Sequence, residues 1–211
     1  MPPSPLYLAR HAETVFNRAR RMQGNDAVTP LTRAGLAQAE AMGAALARHF
    51  SKTGEPPPTL WSSPAGRAQQ TAAIVAEHLG IDFFAIRTDP RLREIEVGHW
   101  VGRDYAAIIA EEGEILDHDH RLFRMPIPGG EHYADIARRL AAWLADAGSA
   151  PALVISHGMT ARVLRGLLVG GHAYEGVAIA PDVPQGTILR LENGAEAPIL
   201  VGTGASGPRA A

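Results

Sequence analysis

The chain has 211 residues, 46% of them apolar, a formal net charge of −2 and no cysteine. That much apolar material supports a sizeable core and argues against disorder. The near-neutral charge gives no broad attraction to nucleic acid, and the lack of cysteine excludes disulfides and thiolate chemistry. No apolar run approaches the ~20 residues that cross a bilayer, and "MPPSP" at the start has neither the basic nor the apolar part of a secretory signal. A cytoplasmic protein with no membrane or nucleic-acid partner is expected.

In chain order, Leu6–Ala9 reads as a strand that stops at Arg10-His11. Residues 20–31 are polar and turn-rich, and Leu36, Ala39, Gly43, Leu46 and Phe50 then recur at helical spacing. A second strand is expected at Thr59–Ser62. Ser63-Pro64 follows as an N-cap with proline at the first helical position, ahead of the helical series Thr71, Ile74, Val75 and Leu79. Phe83–Arg87 reads as a third strand, and residues 113–130 as a loop or lid. The best helix carries Tyr133, Ile136, Ala137, Leu140, Trp143, Leu144 and Ala147, with Gly148 at its C-cap. Ala152–Ser156 and Thr187–Leu191 complete the strands, and the small residues of 202–211 read as a flexible tail.

Alternating strands and helices predict an α/β layered domain with a mostly parallel sheet. With no repeat and no long linker, residues 1–201 read as one domain, in which 98–130 covers a substrate. Ligands of such sheets bind beyond the carboxyl ends of the strands. Arg10, His11, Arg67, Glu94 and His157 all fall there. Guanidiniums suit phosphate because their planar fork donates paired hydrogen bonds. A helix opening at His157-Gly158 adds backbone N–H groups and a favourable dipole for an anion.

The segment "ARHAET" resembles the Arg-His-Gly-Glu signature of the histidine phosphatase superfamily, also called phosphoglycerate mutase-like. "SSPAGRAQQTA" is similar to its second arginine motif, "LREIEVGHWVG" to its acid loop, "PGGEHYADIARRL" to its Gly-Gly-Glu helix entrance and "VISHG" to its second histidine. The motifs stand in the family's order across roughly residues 5–160. The resemblance implies a three-layer sandwich and a metal-independent phosphomonoesterase with no cofactor, acting on a small phosphorylated metabolite. It implies that His11 becomes a phosphohistidine and that Arg10, Arg67 and His157 hold the phosphoryl oxygens. Asn17 is a further contact, and Gln23, Gly24 and Gly158 are candidate substrate or phosphate contacts. Glu94 is the general acid and base; Glu96 and Glu131 compete for that role, and the Leu-x-Glu spacing before Gly98 favours Glu94.

Ala12 stands where the family has glycine, His132 where serine is common, and "QGNDAVTPLT" is one residue longer than the commonest form. "DHDH" at 117–120 reads as a solvated polar loop, since its His-x-His spacing has no clear third and fourth ligand. Trp100 and Trp143 read as packing residues, Trp100 also as a candidate for the pocket rim; Arg18, Arg20 and Arg21 read as a solvated basic cluster. Rival readings are a cofactor-dependent phosphoglycerate mutase, a phosphatase of phosphorylated protein side chains, and a non-catalytic phospho-ligand module. Separated Arg121 and Arg124, where such mutases carry paired arginines, disfavour the mutase. The sequence leaves a homodimer open.

Overall fold

The computed structural model describes residues 2–204. In chain order the elements are β1 (Leu6–Arg10), α1 (Val15–Arg18), α2 (Arg33–Thr53), β2 (Thr59–Ser62), α3 (Gly66–Leu79), β3 (Arg87–Thr88), α4 (Tyr105–Glu112), β4 (Leu116–Asp117) and β5 (Leu122–Phe123). Then come α5 (Tyr133–Asp146), β6 (Ala152–Ser156), α6 (Gly158–Val169), β7 (His172–Tyr174), β8 (Val177–Ile179), β9 (Ile188–Glu192) and β10 (Ala195–Leu200). Six strands form the central sheet in the order β10-β9-β1-β6-β2-β3. Strands β1, β6, β2 and β3 run parallel, whereas β9 is antiparallel to both β1 and β10.

Alternation along β1 sorts the two faces of the sheet. Tyr7 and Ala9 join Met42, Leu46 and Phe50 of α2 and Ala72 and Val75 of α3 in one core. Leu6 and Leu8 join Ile136, Leu140 and Trp143 of α5 and Val163 and Leu164 of α6 in the other. The second core extends under residues 98–130 through Trp100, Ile108, Leu116 and Phe123. Helices therefore cover both faces of a mostly parallel sheet, the expected three-layer α/β sandwich. Each fully buried Leu or Phe contributes roughly 1.5–3 kcal/mol.

Two local expectations are corrected, and one strand joins the sheet unannounced. Phe83–Ala85 is a 3-10 turn rather than a strand. The Asp82 carboxylate accepts from the Phe84 amide at 3.0 Å, so only Arg87–Thr88 pairs with β2. Ser63 does not cap α3: the N-cap is Ala65, without a side-chain hydrogen bond. Ser63 Oγ instead accepts from the Ala65 amide at 3.3 Å and turns toward His157. Strand β10 is a further element, joined to β9 through Asn193-Gly194, both with positive φ. Of the expected tail 202–211, residues 205–211 lie outside the described residues.

Helix α6 is pinned against β8 at Gly166. A Cβ there would stand 1.9 Å from the Ala178 carbonyl oxygen and 2.5 Å from its carbon. Gly→Ala inside a helix ordinarily stabilises by about 0.5–1 kcal/mol. Gly166→Ala should instead destabilise, by about 1–3 kcal/mol, because two backbones must separate. A higher midpoint in urea unfolding would show that this close approach is absent.

Candidate active site

Pairing of β1 with β6 builds the site. Arg10 lies opposite Ser156 in register, and the His11 amide donates to the Ser156 carbonyl at 2.8 Å. The two strands thus release the chain side by side, and the His11 and His157 rings stand 5.2 Å apart, tilted by 62°. Both rings are buried.

Each imidazole has its tautomer set by a partner that can play only one part. His11 Nδ1 lies 2.8 Å from the Ala12 carbonyl, which only accepts, so Nδ1 carries the proton and Nε2 keeps its lone pair. Arg67 donates to His157 Nδ1 at 3.1 Å, so His157 carries its proton on Nε2 and donates it to Ser63 Oγ at 2.6 Å. Burial, reinforced by the charges of Arg67 and Arg10, pushes His11 well below the ordinary imidazole range. Burial and Arg67 act likewise on His157. Both rings are held neutral, the state in which an imidazole nitrogen is nucleophilic.

Arg67 enters from the first turn of α3 and is fully buried. It donates to the carbonyls of Asp26 at 2.5 Å and Gly24 at 2.8 Å, and so ties the turn-rich segment 20–31 to the site. Burial pulls its guanidinium down to about 10, while Glu94 and Asp26 support its charge. Arg67 Nε and Arg10 Nε are buried donors with no hydrogen-bond partner among the described residues.

The acid loop is anchored from the other side. Ser156 Oγ donates to the Leu92 carbonyl at 2.8 Å, and Thr160 Oγ1 to the Arg93 carbonyl at 2.6 Å. Glu94 then lies across the start of α6. Its Oε1 accepts from the amides of Ile95 (3.0 Å) and Thr160 (3.1 Å), with Thr160 Oγ1, whose proton goes to the Arg93 carbonyl, 3.2 Å away. Among the described residues, its Oε2 accepts from the Met159 amide alone, at 3.1 Å. The α6 amides expected to meet an external anion are therefore spent largely on the carboxylate of Glu94. Glu131 is paired with Arg93 at 2.6 Å and Arg139 at 3.1 Å. Glu96 meets Asn25 at 3.5 Å, and neither acid lines the cavity described next.

A cavity of about 210 Å³ opens over these groups. Arg10, His11, Asn17, Gln23, Gly24, Glu94 and Gly158 all line it, so seven of the nine residues singled out in the sequence share one wall. Arg67 and His157 sit behind that wall, against His11. Gln23 Oε1 accepts from Thr14 Oγ1 at 2.5 Å, and its amide nitrogen faces His11 Nε2 at 3.5 Å. Asn17 Oδ1 accepts from the Thr14 amide at 3.1 Å. Gly24, at φ +47°, leaves no room for a Cβ, which would stand 2.4 Å from Val97 Cγ2.

Several lining residues carry no signal in the sequence. Gln185, from the turn before β9, donates to the His11 carbonyl at 2.8 Å. Tyr105 and Phe123 come from the covering region, Arg162 from α6 and Asp182 from the loop between β8 and β9. Burial pushes the Tyr105 phenol up, so it stays a neutral donor. The departures have local explanations. Ala12 is buried, with its amide donating to Thr71 Oγ1 at 3.1 Å, and His132 is the N-cap of α5. In "DHDH", His118 pairs with Glu114 at 2.9 Å and His120 with Asp117 at 3.0 Å. Trp100 is core and absent from the cavity wall, whereas Arg20 and Arg21 stand at its mouth.

The family model for the histidine phosphatase superfamily (branch 1) matches residues 6–202. The chain belongs to this superfamily. It is similar to Probable phosphoglycerate mutase GpmB of Yersinia pestis, 37% identical over 171 residues that cover 78% of this chain and 74% of that protein. Among solved structures it resembles a mycobacterial glucosyl-3-phosphoglycerate phosphatase, with TM-score 0.70, 28% identity, and coverage of 88% of this chain and 89% of that one. The alpha-ribazole phosphatase of Shigella flexneri shares the fold, with TM-score 0.67, 22% identity, and coverage of 95% and 99%. Family and neighbours together make this histidine phosphatase superfamily member an enzyme of the phosphatase kind. Among its described residues, no helix is long and apolar enough to cross a membrane.

The buried neutral histidines link stability to pH. Unfolded imidazoles take up protons below about pH 6.5, whereas the folded His11 and His157 resist protonation until well below it. Their contribution is therefore complete above about pH 6.5 and lost as pH falls toward the lowered folded values, at about 1.4 kcal/mol per pH unit for each ring. Urea unfolding should lose roughly 1.2 kcal/mol per ring between about pH 7 and 5.5, with the full slope approached only below that window, and His157→Gln should remove one ring's share. A slope unchanged by His157→Gln would mean that the ring titrates freely in the native state.

Proposed function

We propose that this enzyme hydrolyses a small phosphomonoester without a metal ion, through a phosphohistidine on His11. What carries this reading is one wall that presents the His11 Nε2 lone pair, the unpartnered Arg10 Nε and the carboxylate of Glu94 together. In the first step His11 Nε2 attacks phosphorus. An N–P bond forms, the P–O ester bond breaks, and the leaving oxygen takes a proton from Glu94. Oε2, which accepts a single amide, is the oxygen free to carry that proton. In the second step Glu94 takes a proton from water, water oxygen attacks phosphorus, and the N–P bond breaks to release phosphate and neutral His11. Arg10 Nε, on the wall, is the first donor for the phosphoryl oxygens, and Arg67 Nε and His157 Nε2–H, just behind it with the latter on Ser63, join it as the group seats against His11. A well-placed donor of this kind contributes roughly 3–4 kcal/mol to the transition state.

The relationship to a phosphoglycerate mutase supports a second reading, in which the phosphoryl group returns to another hydroxyl of the substrate. Two observations favour hydrolysis. Neither Arg121 nor Arg124 lines the cavity. Arg124 Nε is spent on the Leu116 carbonyl at 2.9 Å. Retention of both His11 and Glu94 on the wall also favours an enzyme over a passive phospho-ligand module.

Proton donation is tested through the leaving group. An alkoxide needs a proton as it departs and a nitrophenolate does not, so Glu94→Gln should slow single-turnover phosphorylation by alkyl phosphates about 100- to 10,000-fold. Nitrophenyl phosphate should lose far less. Equal losses would make Glu94 a positioning residue, and a selective loss in Glu96→Gln or Glu131→Gln would move the acid. Hydrolysis should also survive exhaustive chelation, and activity restored only by one divalent cation would contradict the metal-independent scheme.

A further inference from the structure

Beyond the phosphoryl end, the cavity is walled by Phe16, Met22, Ile95, Val97, Tyr105 and Phe123. These come from residues 16–22, the acid loop and the covering region, so the apolar character is assembled from three separate parts of the chain. Four guanidiniums line the same space: Arg10, Arg20, Arg21 and Arg162. Arg10 lies beside Gly158, whose added Cβ would stand 3.5 Å from its Cζ, and faces the phosphoryl position. Arg162 is committed through all three nitrogens, to the carbonyls of Ala180 (2.9 Å), Arg121 (2.7 Å) and His120 (2.8 Å). Arg21 is exposed and donates to the Gly102 carbonyl at 2.6 Å. Arg20 is exposed at the mouth. Glu94 and Asp182 add two carboxylates to the lining. With Arg10 taken by the phosphate and Arg162 spent on carbonyls, a second carboxylate a few bonds from the phosphate would lie against apolar side chains and these two acids, while Arg20 and Arg21 stand at the exposed mouth, where water screens their attraction. Burying such a charge without a partner costs far more than an apolar group gains.

We propose that the leaving alcohol carries an uncharged, largely apolar group, aromatic or branched aliphatic, and that this wall selects it against a carboxylate-bearing leaving group. The inference rests on the phosphatase reading, which puts the phosphoryl group at His11.

Binding and turnover are read separately. Two non-hydrolysable ligands share one anchor and differ at the far end: 3-phenylpropylphosphonate and 2-carboxyethylphosphonate. By calorimetry the phenyl ligand should bind at least about tenfold tighter, since each buried CH₂ equivalent is worth roughly fourfold. Phe123→Leu and Val97→Ala should each narrow that ratio by about threefold or more. The ratio is taken within one variant, so partial loss of folded protein cancels. Equal or tighter binding of the carboxylate ligand, or a ratio unmoved by both wall variants, would overturn the proposal. Turnover of 3-phenylpropyl phosphate is then measured alone. Apolar preference without turnover keeps the ligand class and overturns hydrolysis; turnover without apolar preference overturns the ligand class only.

Discussion

The site depends on the parallel pairing of two five-residue strands. With β1 and β6 in register from Leu6 opposite Ala152 to Arg10 opposite Ser156, the backbone has no choice about where the next residues go. His11 and His157 leave the sheet at the same level and their rings meet. Strand β2, on the other side of β6, delivers Ser63 and then Arg67 to the same level. A slip of one residue would turn every side chain of β1 to the opposite face. Tyr7 and Ala9 would leave the α2–α3 core, Leu6 and Leu8 the α5–α6 core, and His11 the site. Burial on both faces therefore enforces the register that assembles the site.

That geometry concentrates positive charge, and Glu94 balances it. Arg10 and Arg67 are brought beside two imidazoles, and desolvation with cationic repulsion keeps both rings neutral. Glu94 supports the charge on Arg67 while its own carboxylate is held by the first amides of α6, where the helix dipole favours an anion. One carboxylate thus fixes the acid loop to α6 and offers its less-bonded oxygen to the cavity. Residues 98–130 close the assembly: they extend the α5–α6 core and lend Tyr105 and Phe123 to the wall.

How much of this was legible depends on the range over which each signal acts. Arg10, His11, Glu94 and His157 stand at the ends of apolar runs, so the strands that carry them also locate them. Arg67 follows a strand and opens a helix. Glu94 was separable from Glu96 and Glu131 only by spacing; the structure separates them because Glu131 is consumed by Arg93 and Arg139. Phe83–Arg87 has strand composition, but Asp82 offered a local turn bond that overrode it. The Asn193-Gly194 pair was a hairpin signal in plain view, yet Ala195–Leu200 has too little apolar alternation to read as its second strand. Gln185 lies 174 residues from the histidine it touches, and nothing in its own surroundings points there. The apolar wall is invisible for the same reason, since its members are ordinary core residues until the covering region folds over them.

The Ala12 carbonyl holds the proton on His11 Nδ1 and leaves the lone pair on Nε2, which in the proposed mechanism is the nitrogen that takes the phosphoryl group. The direct measurement is phosphorus NMR of enzyme trapped with substrate and kept alkaline, with the modified residue located by peptide mass spectrometry. A single acid-labile phosphoramidate on His11, linked through Nε2, is the expected result. A phosphoryl group on Nδ1, on His157 or on a hydroxyl side chain would contradict it.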